Sequence, residues 1–168
     1  MFQDEAGFGR ISEPKHCWAP AGVRPIVPRH HIREYYYAYG AVEPATGENF
    51  FLVLPHANTI CMNVFLQELS KQYSDDTILM CVDRASWHTT TKLAMPDNIV
   101  LFYLLPATPE MNPIEQIWKE LRKRGFKNEA FKTLNDVVDR LCDSIVSLSH
   151  KCVSSITGRQ WILDIAAV

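Results

Sequence analysis

Long apolar runs are missing from this sequence. No stretch of its 168 residues approaches the roughly 18 consecutive apolar residues that a membrane-spanning helix needs. The amino terminus carries two acids among its first five residues, unlike the basic start of a signal peptide. Internal repeats and low-complexity segments are absent too. These absences predict a globular protein without membrane association, located in the cytoplasm.

Cysteine is scarce and scattered. The five cysteines are odd in number and no two of them form a CxxC pair, which argues against a disulfide framework and against a structural zinc site. Cys81 lies inside an apolar run and Cys61 near a predicted helix start, so both are expected to be buried thiols. We expect all five cysteines to be reduced and without a catalytic role.

An excess of positive charge is missing as well. The net charge of −2 and the pI of about 6.3 argue against nucleic-acid binding through bulk charge. Any contact with DNA must therefore come from local basic patches, or from a module outside this chain.

The first third of the chain predicts β-structure. Residues 1–7 are expected to form a strand that runs into a glycine-containing loop, and residues 10–31 hold too many prolines for a helix or a central strand. Two segments, 32–42 and 50–54, flank a Pro-Ala-Thr-Gly turn and predict a β-hairpin. For the tyrosines of the hairpin, ordinary sheet packing is weighed against a base-stacking role.

The rest of the chain alternates strands and helices. A helix is expected from Asn58 or Thr59 to about Tyr73, and one or two helical turns at residues 86–93. Continuous apolar runs are typical of buried parallel strands, and they occur at residues 77–82 and 99–105.

Two further helices are predicted towards the carboxyl terminus. Asn112 is expected to cap the first of them, with Pro113 at its first position, and Thr133 caps the second. A hairpin followed by β–α–β units indicates a mixed α/β sheet, so residues 1–168 are expected to form one such domain.

Three acids stand out by their positions. Asp4 lies on the first strand, and Asp83 ends the most apolar strand, where open α/β sheets bind ligands. Glu115 lies in the first turn of a helix, about 60° from Trp118 on a helical wheel. Taken singly, Asp83 could simply end a strand and Glu115 could complement the helix dipole. Together they offer the oxygen ligands that Mg²⁺ and Mn²⁺ prefer, with no His/Cys cluster to bind zinc.

The residues around these acids carry a family resemblance. Asp4 begins the segment DEAGF, Asp83 lies in VDRASWH, and Glu115 lies in NPIEQIW. In this order they closely resemble the three motifs of the DDE transposases of the mariner superfamily, on its bacterial insertion-sequence branch. The resemblance runs over about residues 2–124. It implies a ribonuclease-H-like fold, a mixed five-stranded sheet of an antiparallel hairpin and parallel strands, flanked by helices on both faces.

The resemblance also implies a chemistry. Asp4, Asp83 and Glu115 would be the catalytic triad and would hold two Mg²⁺ or Mn²⁺ ions, about 4 Å apart in such sites. Water would hydrolyse a phosphodiester at each transposon end, and the freed 3′-hydroxyl would attack target DNA, at a TA dinucleotide. The implied setting is the nucleoid of a prokaryote, with a homodimer acting on DNA and no small-molecule cofactor. Three acids converging without a cation among them would strain the metal-free site.

Five residues are predicted to contact DNA. Arg84 stands where the family usually has asparagine, and only 31 residues separate Asp83 from Glu115. His88 matches a recurrent histidine of the family, with a packing or capping role as the alternative. The helix of Glu115 also carries three predicted contacts, for which a solvated helix face is the alternative to phosphate binding. They are Lys119, Arg122 and Lys123.

The family's end-recognition module has no counterpart in this sequence. The N-terminal helix-turn-helix modules that recognise transposon ends have no room before Asp4. We therefore expect an excised catalytic domain, the second product of a split gene, or a truncated remnant. Two alternatives to a working transposase stay open: a general ribonuclease-H-like DNA nuclease, and an inactive remnant or regulatory partner of a full-length transposase.

Overall fold

A five-stranded mixed sheet forms the centre of the protein, as predicted. The computed structural model describes residues 1–12, 14–106 and 108–166. The strands lie in the order β3-β2-β1-β4-β5. Their bounds are β1 (Phe2–Ile11), β2 (His31–Val42), β3 (Asn49–Leu54), β4 (Ile78–Val82) and β5 (Ile99–Tyr103).

The central strand β1 has a different kind of neighbour on each side. β2 pairs with it in the antiparallel sense, with Asp4 opposite Gly40. β4 pairs with it in the parallel sense, with Phe2 opposite Cys81. Two residues further along these strands, Asp83 therefore lies level with Asp4. The strand that leads to Asp83 thus lies beside the strand of Asp4, and the hairpin of β2 and β3 lies on the other side.

β1 is longer than predicted. The loop expected after residue 7 is wrong, because the strand continues through two glycines to Ile11. Gly9 supplies the physical reason, since a Cβ there would lie 2.3 Å from the carbonyl oxygen of Glu34 and 2.4 Å from the ring of Tyr35. Glycine lets β2 approach closely at this point. The proline-rich crossing follows, and residues 14–30 contain neither helix nor strand.

Helices cover both faces of the sheet. Asn58 and Thr133 cap α1 and α3 through their side chains, as predicted. No helix within the described ranges is both long and apolar enough to cross a membrane. The helices are α1 (Thr59–Gln72), α2 (Ile114–Gly125), α3 (Leu134–Val146), α4 (His150–Thr157) and α5 (Gln160–Ala166).

Each face of the sheet has its own core. α1 packs on one face with β2, β4 and β5, whereas α2, α3 and α4 pack on the other with β1 and β2. Trp118 and Leu121 of α2 are 1% and 0% exposed, so both side chains are buried against the sheet. The apolar stripe of α2 therefore fixes the orientation of this helix on the sheet.

The two strands expected to be buried on both faces are buried on one. Leu79, Val100 and Phe102 are all more than half exposed. The other face of β4 and β5 packs against α1, but α2, α3 and α4 lie over the β1 and β2 side of the sheet. A continuous apolar run predicts a strand correctly, yet it does not show whether a helix covers each face.

Residues 86–93 do not form the predicted helical turns. Two separate turns occur instead, closed by bonds from the backbone N–H of His88 to the carbonyl of Ala85 and from Leu93 to Thr90. Three consecutive threonines begin at Thr89, and β-branched side chains disfavour helix.

Candidate active site

The three predicted acids line one cleft. Asp4 comes from β1, Asp83 follows β4, and Glu115 lies in the first turn of α2. The cleft has a volume of about 410 Å³, and the loop that joins β5 to α2 forms its remaining wall. The fold thus brings to one place three carboxyl groups that are far apart in sequence.

Asn112 ties the start of α2 to β1. Its side-chain Nδ2 donates a hydrogen bond of 2.9 Å to the backbone carbonyl of Gln3, next to Asp4. The predicted N-cap role of Asn112 is wrong, because α2 begins after Pro113 without a side-chain cap. The amide instead makes a tertiary contact that holds the helix of Glu115 beside the strand of Asp4.

Asp4 is set into the edge of the core. The indole Nε1 of Trp118 donates a hydrogen bond of 2.9 Å to its Oδ2. Burial raises the pKa of the Asp4 carboxyl to about 7, because the hydrogen bond from Trp118 only partly offsets burial and the negative charges of Glu5 and Glu115 add to it. Asp4 therefore binds a proton at a higher pH than an exposed aspartate does.

Asp83 faces the open side of the cleft, with 57% of its side chain exposed. Its Oδ1 accepts two hydrogen bonds, one of 2.8 Å from the Nδ1 of His88 and one of 2.9 Å from the backbone N–H of Ala85. The hydrogen bond with His88 lowers the pKa of the Asp83 carboxyl, which stays ionised. The pKa values of the two aspartates of the cleft are thus shifted in opposite directions.

His88 is buried between two carboxylates. Its Nε2 lies 3.0 Å from Oε1 of Glu5, while its Nδ1 contacts Asp83. Burial lowers the pKa of His88, but the hydrogen bonds with Asp83 and Glu5 outweigh it and raise that pKa to about 9. His88 is therefore an imidazolium at neutral pH and compensates the charge of Asp83, whereas the negative charge of Glu115 still raises the pKa of Asp4. With its side chain 0% exposed, His88 offers no surface to DNA and takes the packing role.

Sequence reasoning missed Glu5. Neighbouring side chains of a strand point to opposite faces, so the sequence alone already places Glu5 and Asp4 on opposite faces of β1. The spacing of five residues between Asp83 and His88 also allows a local contact. That Glu5 meets His88 could not be foreseen, because 83 residues separate them in the chain.

The predicted basic residues fall in two places. Arg84 lines the cleft of the acids, and its Nε donates to the carbonyl of Leu104 at 3.4 Å. The other three, Lys119, Arg122 and Lys123, line a second groove of about 860 Å³ between β1 and α2.

The donor chemistry of the cleft fits a divalent cation. Besides the carboxylates, Oδ1 of Asn112 is buried and has no hydrogen-bond partner within the described residues. Carboxylate and amide oxygens are the ligands that Mg²⁺ and Mn²⁺ prefer. Among the residues that the structure describes, however, no three Asp, Glu, His or Cys side chains stand close enough to hold a metal. The three carboxylates must therefore move closer to one another before they can bind the same ion.

Known proteins share this fold. The chain matches the Mos1 transposase paired-end complex with left transposon end at a TM-score of 0.70 and 12% identity, over 94% of this chain and 50% of that one. The Mos1 mariner paired-end complex with Mn gives a TM-score of 0.66 at 12% identity, over 94% and 51% of the two chains. The chain thus spans about half the length of these solved chains. The predicted ribonuclease-H-like fold of mariner transposases is confirmed.

Sequence comparison gives the family. Over 129 residues the chain is 37% identical to "Uncharacterized protein y4pE/y4sA" of Sinorhizobium fredii (strain NBRC 101917 / NGR234), covering 74% of this chain and 95% of that one. This bacterial relative agrees with the predicted bacterial branch. The family model described as "DDE superfamily endonuclease" matches residues 1–138, a span that contains all three acids. The chain therefore belongs to the DDE superfamily endonuclease family.

Proposed function

We propose that this chain is the catalytic domain of a DNA transposase, with Asp4, Asp83 and Glu115 holding two Mg²⁺ or Mn²⁺ ions. The observation that carries the proposal is the shared cleft: three carboxyl groups, on β1, directly after β4 and on α2, line one cavity of about 410 Å³. Membership of an endonuclease family and the fold of the Mos1 complexes with transposon ends and with Mn support it.

The proposed reaction has two phosphoryl-transfer steps. In the first, a water oxygen attacks a phosphorus at the transposon end, and the P–O3′ bond breaks to leave a free 3′-hydroxyl and a 5′-phosphate. In the second, that 3′-hydroxyl attacks a target phosphorus, at a TA dinucleotide, and displaces the target's own 3′-oxygen. When bound, the ions would activate the attacking oxygen and stabilise the leaving oxygen.

The protein's own residues position the acids. Trp118 holds Asp4, Asn112 holds the start of α2 with Glu115, and His88 holds Asp83. These partners keep the three carboxylates around one cleft before DNA arrives, although the carboxylates still have to move closer together to share an ion.

DNA would follow the groove that continues along the seam of β1 and α2. Glu115 faces the acid cleft from the first turn of α2, and Lys119 and Arg122 face the groove from the next two turns. The guanidinium of Arg122 lies 5.1 Å from the ring centre of Phe8, which holds the charge at the groove wall. If the scissile bond of a DNA strand lies at the acids, the neighbouring phosphates of that strand would lie along this groove. The cations of the groove could then bind those phosphates. A homodimer on paired ends is part of the proposal.

Nicking of supercoiled plasmid DNA in Mn²⁺ tests the catalytic assignment. The native chain should nick, and Asp4→Asn, Asp83→Asn and Glu115→Gln should each lower the rate by at least about 100-fold, because each removes a metal ligand. Glu120→Gln is the matched control, since Glu120 lies on α2 but pairs with Arg124. Equal nicking by native chain and Asp83→Asn would contradict the assignment.

The products separate the proposed function from its alternatives. An oligonucleotide with a free transposon-like 3′-hydroxyl should become joined to plasmid DNA by the native chain. Nicking without any joining would favour a general nuclease. A folded native chain that neither nicks nor joins would favour an inactive remnant or a regulatory partner.

A further inference from the structure

Glu5 is a buried acid that the proposed reaction leaves unused. Its side chain is 4% exposed. The contacts show that it and Asp4 lie on opposite faces of β1, since Asp4 bonds to Trp118 of α2 and Glu5 bonds to His88. Burial of an ionised carboxylate is unfavourable unless partners compensate it. Glu5 has two partners, the Nε2 of Gln3 and the Nε2 of His88, each at 3.0 Å.

The ring of His88 is fixed at both ends. Nε2 meets Glu5 and Nδ1 meets Asp83, so a rotation of the ring would break both contacts. The backbone of His88 is held as well, because the hydroxyl of Tyr103 donates a hydrogen bond of 2.8 Å to its carbonyl. An imidazole ring held in this way acts as a rigid link from Glu5 to Asp83.

Only one carboxylate oxygen of Asp83, Oδ1, contacts His88. Its Oδ1 accepts from His88 and from the N–H of Ala85. Within the described residues Oδ2 accepts no hydrogen bond. Two donors on Oδ1 fix the carboxylate rotamer and leave Oδ2 available to a cation in the cleft. Glu5 itself is not among the described residues that line the cleft.

We infer that Glu5 is a positioning residue, which acts through His88 to orient the carboxylate of Asp83 towards a divalent cation. The inference rests on the proposed function, because it takes the cleft as a metal site. Substitution of a residue that hydrogen-bonds to a metal ligand commonly lowers metal affinity or activity by about 10–100-fold. Glu5 would thus matter to the site without touching metal or DNA.

A double-mutant cycle read out as Mn²⁺ affinity tests the inference. Free Mn²⁺ is measured by electron paramagnetic resonance for the native chain, Glu5→Ala, His88→Ala and the double variant. Glu5→Ala should weaken Mn²⁺ binding by about 10–100-fold. In the His88→Ala background the same change should add less than about 2-fold, because the link is already broken. Glu5→Gln retains an oxygen acceptor for His88 and should recover part of the loss.

A matched control and a comparison with Asp83→Ala separate a failure of this inference from a failure of the proposed metal site. Glu48→Gln alters another glutamate paired with a histidine, His150 at 3.3 Å, next to the edge strand β3, and should leave Mn²⁺ affinity unchanged. If Glu5→Ala weakens binding equally with and without His88, Glu5 acts on the metal directly and the inference is overturned. It is also overturned if Asp83→Ala abolishes Mn²⁺ binding while Glu5→Ala and Glu5→Gln leave it unchanged. If Asp83→Ala has no effect either, the proposed metal site itself fails. Should Glu5→Ala not fold, Glu5→Gln decides, and an affinity equal to the native value counts against the inference.

Discussion

Trp118 and Asp4 join the hydrophobic core to the candidate active site. The indole Nε1 donates a hydrogen bond of 2.9 Å to Oδ2 of Asp4, while the ring of Trp118 is 1% exposed. One side chain therefore stabilises the packing of α2 and fixes a carboxyl group of the cleft. A substitution at Trp118 should affect both properties, and the two effects can be separated.

Trp118→Ala should lower the free energy of unfolding by about 3–5 kcal/mol, as a large-to-small change in a core. Trp118→Phe keeps a buried ring but loses the indole N–H, and should cost only about 1–2 kcal/mol. Both variants should bind Mn²⁺ more weakly, because Asp4 loses its fixed partner. Urea unfolding gives the energies. A loss below about 1 kcal/mol for Trp118→Ala would show that α2 is not docked as described.

Gly40→Ala should disturb the same contact from the other side. Gly40 pairs with Asp4 across β1 and β2, and a Cβ there would lie 2.8 Å from the ring of Trp118 and 2.5 Å from the ring of Phe51. We expect a loss of about 1–3 kcal/mol from overpacking. Gly7→Ala is the control on β1, because its Cβ would meet nothing closer than 3.5 Å. Equal urea midpoints for the two variants would contradict the prediction.

Mn²⁺ should raise the melting temperature of the native chain, because a ligand that binds only the folded state stabilises it by mass action. At a concentration 100 times the dissociation constant, the gain is about 2.7 kcal/mol. Asp83→Asn should gain little, whereas Glu120→Gln should gain as much as the native chain. Without metal, Asp83→Asn should have a lower melting temperature than the native chain, because the substitution removes the carboxylate charge that pairs with His88. Equal responses of native chain and Asp83→Asn to Mn²⁺ in thermal melts would remove Asp83 from the ligand set.

The stability of the metal-free protein should fall as pH rises from about 6.5 to about 9. An unfolded histidine has a pKa of about 6.5, and the fold raises the pKa of His88 to about 9. The folded state thus binds this proton more tightly than the unfolded state does. The contribution of His88 to the free energy of unfolding is therefore complete below about pH 6.5 and is lost as the pH rises through about 9. The loss should be on the order of 3 kcal/mol, because one pKa unit corresponds to about 1.4 kcal/mol. His88→Asn should lack this part of the pH dependence, and identical slopes in urea unfolding would count against the imidazolium.

Arg122→Ala should weaken DNA binding and make it less sensitive to salt. The loss of one phosphate contact weakens binding to about the same extent for every DNA sequence. It also reduces the steepness of log K against log salt by about 1. Lys71→Ala is the control, because Lys71 is an exposed cation on α1, over the other face of the sheet. Fluorescence anisotropy at several salt concentrations gives the slopes. Equal slopes for Arg122→Ala and the native chain would place the DNA elsewhere.

The sequence by itself determined the five strands, the helices α1 to α3 and the three acids. Strands and helices followed from local patterns, such as the apolar run before Asp83 and the capping residues Asn58 and Thr133, since these signals act over a few residues. The acids were found because each stands at a fixed place in a local motif. Local signals also misled where packing decides, as in the loop expected after residue 7, where close approach of β2 extends the strand.

Only the tertiary structure decided the surroundings of the acids. Glu5 and His88, and likewise Asp4 and Trp118, are neighbours because strand pairing and helix docking bring distant residues together. Burial then sets the protonation of these groups, which no local pattern specifies. The same holds for Asn112, whose motif predicts a helix cap but whose amide bonds to β1. Contacts between remote segments depend on the whole packing arrangement, and a sequence pattern records only the near neighbours along the chain.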